Sequence, residues 1–133
     1  MFTTPLEIRL IGDQEFELIA PLVYENNTFV ITLYCGLKSD GASIPRTLWG
    51  VVGCPFGGSY SRSAFLHDAL YRSRLFDKHT CDGLFLEAMR SESVDAISSS
   101  LLYNAVVEFG NSSYANTSNM INYRDLVQIK IKE

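Results

Sequence analysis

Both histidines of this 133-residue chain, His67 and His79, fall in one stretch, residues 64–89, AFLHDALYRSRLFDKHTCDGLFLEAM. Ala64, Phe65, Leu66, Ala69 and Leu70 recur at helical spacing, and His67 shares its stripe with Ala64, Leu70 and Tyr71. Further on, Asp82 shares a stripe with Phe85, Leu86 and Met89. A carboxylate on a buried face needs a partner, because a desolvated, unpaired charge is strongly unfavourable. Two short helices joined by a tight turn pack antiparallel, which brings Asp82 towards His67. A carboxylate that accepts from one imidazole nitrogen fixes the tautomer and leaves the other nitrogen as a base for water or a hydroxyl. The bland alternative is a core-edge histidine whose bond to Asp82 only holds two helices together, with Asp68 as a solvated helix residue.

Asp68 follows His67 directly, and helical neighbours point about 100° apart, so the two side chains act separately. Asp68 is a candidate ligand for a hard cation, with main-chain carbonyls from a glycine loop such as Gly57-Gly58; such a cation polarises an ester or phosphate. Asp40 and Ser43, flanking Gly41, are further candidates, with a plain turn and helix cap as the alternative. A transition-metal site fits less well, since there are only two histidines and the thiols Cys35, Cys54 and Cys81 do not cluster. Ser43 or Ser59 could serve as a nucleophile to His67, although no G-x-S-x-G elbow is present.

The elements that must position these groups can be read from periodicity. Leu6, Ile8 and Leu10 alternate with Glu7 and Arg9 as a half-buried strand, and Gly12-Asp13 is a turn. Phe16 and Leu18 alternate with Glu15 and Glu17 in a second strand that runs into Ile19 to Val23. After Glu25-Asn26-Asn27, residues 28–35 make a third. Three strands on short turns predict an antiparallel meander over residues 1–36. Residues 37–59 read as loop chemistry and a short helix, Thr47 to Val52, with the single tryptophan, Trp49; Ser59, Ser61 or Ser63 would cap the His67 helix. Residues 60–110 form a helical core. Its third helix, Val94 to Phe109, has Ile97, Leu101, Leu102, Ala105, Val106 and Phe109 as its apolar stripe, and Gly110 ends it. Residues 111–119 are a polar loop, and Val127, Ile129 and Ile131 mark a last strand added to the sheet. The expectation is a single α+β domain over residues 1–133: a small antiparallel sheet, meander plus C-terminal strand, packed on about three helices.

Hydrophobic content of 47% and charged content of 20% describe a globular domain. A net charge of -4 without any basic block argues against nucleic acid as a partner. No apolar run reaches the roughly 18 residues of a transmembrane segment. The start, MFTTPLEIRL, lacks the basic and apolar regions of a secretory signal. Three cysteines without a CxxC pair fit reduced thiols.

The order SDGASIPRTLW, GCPFGG, SAFLHDALYRSRLF, CDGLFLEAM, LLYNAVVEFG, spanning residues 38–110, resembles a family of small domains of unknown function found in tailed-phage and prophage genomes. Its polar positions fall on Asp40, Ser43, His67, Asp68, Tyr71 and Asp82; Ser39 and Cys81 depart from the family's threonine and alanine. The resemblance implies a phage-encoded protein in the host cytoplasm during infection or in the virion tail, with virion proteins or host envelope lipid as partners. More loosely, HDALY followed by CDGLF is similar to the helix pair of secreted calcium-dependent phospholipases A2. That similarity implies His67 as the base, Asp68 as a calcium ligand with Gly57 and Gly58, and Asp82 and Tyr71 as groups that orient the histidine. Two functions follow as expectations: a hydrolase-like domain for lipid or cell-envelope esters, and a non-enzymatic structural or accessory protein of the virion.

Overall fold

The computed structural model describes residues 1–13, 15–41, 44–53, 55, 58–115 and 120–133, with 120–122 as backbone. Strand β1 (Ile8–Gly12) turns at Asp13 and returns as β2 (Glu15–Leu18). β3 (Leu22–Glu25) and β4 (Phe29–Leu33) form a second hairpin. At its tip Asn26 Oδ1 accepts from the amides of Thr28 and Phe29 at 2.8 and 2.7 Å. A two-residue strand β5 (Lys38–Ser39) follows, then a 3-10 turn, Arg46–Leu48, that runs into α1 (Trp49–Val52). The remaining elements are α2 (Ser61–Ser73), α3 (Lys78–Ser91), α4 (Ala96–Phe109), α5 (Asn111–Ala115), α6 (Met120–Asp125) and β6 (Val127–Ile131).

The fold is α+β, as expected, but the strands divide into two antiparallel sheets, β1-β2-β5 and β3-β4-β6, rather than one meander. Pro21 follows the bend at Ile19–Ala20 and has no amide to donate to a ladder, so the apolar run from Leu18 to Val23 breaks there and crosses between sheets. β5 lies inside what reads as loop sequence; it pairs with β2 through Phe16 opposite Ser39 and Glu17 opposite Lys38. The last strand joins as predicted, β6 pairing with β4 from Phe29–Ile131 to Leu33–Val127.

Asp77 and Asp95 cap α3 and α4, each accepting at 2.8 Å from an amide three residues on, those of Thr80 and Ser98. No serine caps α2: Ser61 bonds Gly58, and the Ser63 hydroxyl donates to Glu92 at 2.6 Å. α4 buries Leu102, Ala105 and Val106 but exposes Ile97, Leu101 and Phe109, so the expected stripe is half right. Residues 111–115 are helical (α5) rather than loop.

α2 is central. Every residue from Ser63 to Tyr71 is buried, because the sheets, α3, α5 and α6 surround it. One apolar core, including Leu18, Ile31, Leu33 and Phe65, lies towards the sheets, and a second, including Phe85, Met89, Leu102 and Val106, lies between α3 and α4. Among the described residues no helix is long and apolar enough to cross a membrane.

Candidate functional site

A helix buried on all sides has no solvent face for its polar side chains, so each of those on α2 must find a partner. Towards α3, His67 Nε2 lies 2.8 Å from Asp82 Oδ1, and the Tyr71 hydroxyl donates to the same oxygen at 2.5 Å. The other oxygen, Oδ2, accepts from Lys78 Nζ at 2.8 Å. Lys78 also donates to the carbonyls of Val106 and Val107 in the last turn of α4, at 2.8 and 3.2 Å; the first of these also accepts from the Gly110 amide at 2.9 Å. The Asp82 carboxylate therefore ties α2, α3 and, through Lys78, α4. The imidazole packs between Tyr71 and Phe85, with ring centroids 4.0 and 4.6 Å away, and is 0% exposed.

Burial disfavours the charged imidazole and lowers the His67 pKa, against the pull of Asp82. Burial also works against the Asp82 carboxylate, but hydrogen bonds from His67, Lys78 and Tyr71 outweigh it and hold its pKa below the ordinary range. A neutral ring beside an ionised carboxylate matches the tautomer with its proton on Nε2, where it donates to Asp82. Burial and the bond to Asp82 raise the Tyr71 pKa, so that hydroxyl stays a donor.

The adjacent flank of α2 carries a second cluster. Asp68 is buried, and among the described residues its Oδ2 is the one buried side-chain N or O atom without a hydrogen-bond partner. It stands 3.4 Å from Arg72 Nε one turn on, while Ser39 bonds the same carboxylate. Arg72 also donates to Asp40 Oδ1 at 2.6 Å and to the Tyr123 hydroxyl at 2.8 Å, and Tyr123 donates to the carbonyl of Lys38 at 2.6 Å. Asp40 thus joins Asp68 through Arg72.

An orphaned buried carboxylate oxygen is what a cation would answer. Here the Arg72 guanidinium already supplies positive charge. The Gly58 carbonyl accepts from the Ser61 amide and hydroxyl, at 3.3 and 2.9 Å, at the start of α2, about two turns before Asp68. Among the described residues no three His, Cys, Asp or Glu side chains stand close enough to share a metal ion. As placed, these residues do not fit calcium shared between Asp68 and Gly58. Gly57 and Ser43 lie outside the described residues.

Burial raises the Asp68 pKa to about 6, against Arg72 and Ser39, which lower it. Between the unfolded value near 4 and the folded value near 6 the folded chain binds more protons, so stability falls as pH rises through that window. Asp68→Asn is expected to abolish a decline of about 2 kcal/mol between pH 4 and 6. Urea unfolding of both proteins across that range checks it; parallel curves would refute it.

Lys78, Arg72, Ser39 and Tyr123 escaped sequence reasoning. Two of them had a signal: Lys78 lies four residues before Asp82 and Arg72 four after Asp68, the spacing of helical ion pairs.

Residues 16–106 match the family described as "Protein of unknown function (DUF1353)". The chain is also 33% identical, over 75 residues, to "Uncharacterized protein y4jT" of Sinorhizobium fredii. The matched region is 56% of this chain but 22% of that relative, so the chain spans about a fifth of the relative's length. No solved structure matches significantly.

Proposed function

The chain belongs to the DUF1353 family of unknown function, and for this member we propose a phage-encoded, hydrolase-like domain acting on an ester of lipid or the cell envelope. The observation that carries the reading is the Asp82 carboxylate, which engages His67 Nε2 at 2.8 Å and the Tyr71 hydroxyl at 2.5 Å from a neighbouring helix. In this reading His67 Nδ1 takes a proton from water as the hydroxide adds to the ester carbonyl, and Asp82 balances the imidazolium that forms. The proton then passes to the leaving alkoxide, releasing acid and alcohol. Tyr71 and Lys78 keep the carboxylate from rotating away. No step runs through a cation. The ring is fully buried, so turnover requires its cover to open.

That burial favours a second reading, a non-enzymatic virion or tail-associated accessory protein in which the same network pins α2 to α3 and α4. Fatty-acid release from mixed phospholipid vesicles separates the two, assayed with calcium and with chelator, beside a His67→Gln control of similar melting temperature. The hydrolase reading expects release by the wild type with chelator present and a loss of about 100-fold or more in the control. Release only with calcium would mean that the site rearranges around Asp68. No release in either condition would leave the accessory reading, and the protein should then be sought in purified virions.

A further inference from the structure

Leu6-Glu7-Ile8-Arg9-Leu10 is its own antiparallel complement, and it lies on an open edge. In the order β1-β2-β5, β1 has, among the described residues, a neighbour on one side only. The Glu7 carbonyl accepts from the Ile19 amide at 3.0 Å, so Glu7 and Arg9 turn their backbone groups towards β2, and Ile8 and Leu10 turn theirs outward. On one face of the sheet charges alternate from strand to strand: Lys38 opposite Glu17, and Glu17 opposite Arg9. Arg9 donates to Glu17 Oε2 through Nε and Nη2, at 2.9 and 2.7 Å. The row ends on Arg9, whose side chain remains 66% exposed, so a strand added here should bring an anion opposite it. On the other face Leu10 is 63% exposed.

We propose that this edge takes a second copy of the chain, the two β1 strands pairing antiparallel about Ile8. Ile8 then faces its counterpart, Leu6 of each copy covers Leu10 of the other, and Glu7 of each lies opposite Arg9 of the other. Each Arg9 is flanked by Glu17 of its own sheet and Glu7 of its neighbour, extending the alternating row. Charge also selects the register. Pairing about Arg9 sets arginine against arginine, and pairing about Leu10 sets Arg9 against Ile11. The register shift between Leu10 and Gly12 ends the straight edge just past the paired segment. Five residues a side fall well below the roughly 1,200 Å² of a stable interface, so the dimer is reversible and concentration-dependent. Its two three-stranded sheets join as one of six, and the edges left open to other strands are no longer those of β1.

Sedimentation velocity of the full chain, from micromolar to near-millimolar concentration, tests this with Glu7→Arg, Arg9→Glu and a 1:1 mixture of the two variants. The wild type should show a monomer–dimer equilibrium. Each variant sets like charges opposite each other and should self-associate about tenfold or more weakly. The mixture, one edge doubly cationic and the other doubly anionic, should regain wild-type association. Both positions are exposed, and the Arg9–Glu17 pair contributes little to stability, so melting temperatures near wild type are the folding check. Leu10→Lys, also exposed, should weaken the dimer independently. A wild type that stays monomeric, or association equal in all samples, would overturn the proposal.

Discussion

Replacing Asp82 with alanine is expected to lower the unfolding free energy by about 3–5 kcal/mol, since it removes the acceptor shared by three donors in a closed interior. Stranded His67 Nε2 and Tyr71 hydroxyl groups each carry a desolvation cost of about 1–3 kcal/mol. Lys78 loses less, because it keeps the carbonyls of Val106 and Val107. The losses share one carboxylate and so do not add. Asp82→Asn should fall in between: its amide oxygen still accepts from His67 and Tyr71, but its NH2 meets the Lys78 ammonium. Urea unfolding at pH 7 measures both, and an alanine variant within about 1 kcal/mol of wild type would show that the network does not hold the helices. The contribution is present at neutral pH and is lost only as pH falls through the lowered Asp82 pKa.

Gly110→Ala should cost about 3 kcal/mol although nothing in its backbone requires glycine; its φ and ψ are -82 and -1. The reason is space. A Cβ there would lie 2.6 Å from the Tyr71 hydroxyl and closer still to the Val106 carbonyl oxygen, in the turn that Lys78 caps. Tyr71 must move, and its bond to Asp82 breaks. In a Tyr71→Phe background the same substitution should cost at least about 1 kcal/mol less, because the hydroxyl it collides with is gone. Thermal or urea unfolding of the four proteins makes the cycle. Strict additivity would mean that the added methyl is accommodated elsewhere.

What the sequence made legible is what local periodicity carries. α2, α3 and their connection follow from stripes three and four residues apart, and the approach of Asp82 to His67 follows from packing two short helices antiparallel. The division into two sheets was not legible, because which edge a strand joins depends on partners far along the chain. A single proline, Pro21, is the local mark of the crossing. β5, at two residues, is too short to show a period. On α4 both flanks are apolar, so contact with α3, not composition, decides that Leu102 and Val106 face inward while Ile97 and Phe109 face out. Asp68 reads as solvated because its helix looks amphipathic; α2 is instead enclosed on every side, and Asp68 is buried 3.4 Å from Arg72 Nε.

The pairing of β4 with β6 also sets an order of events in time. Tyr34, just past β4, donates to Gln128, 94 residues away. Closing so long a loop before anything lies between its ends is entropically unfavourable and slow. The two hairpins and the α2–α3 pair join near neighbours and can form early. β6 then completes its sheet late, against a surface that α2 has already organised. Substitutions at Ile129, part of that seam, should therefore speed unfolding while leaving the folding rate nearly unchanged.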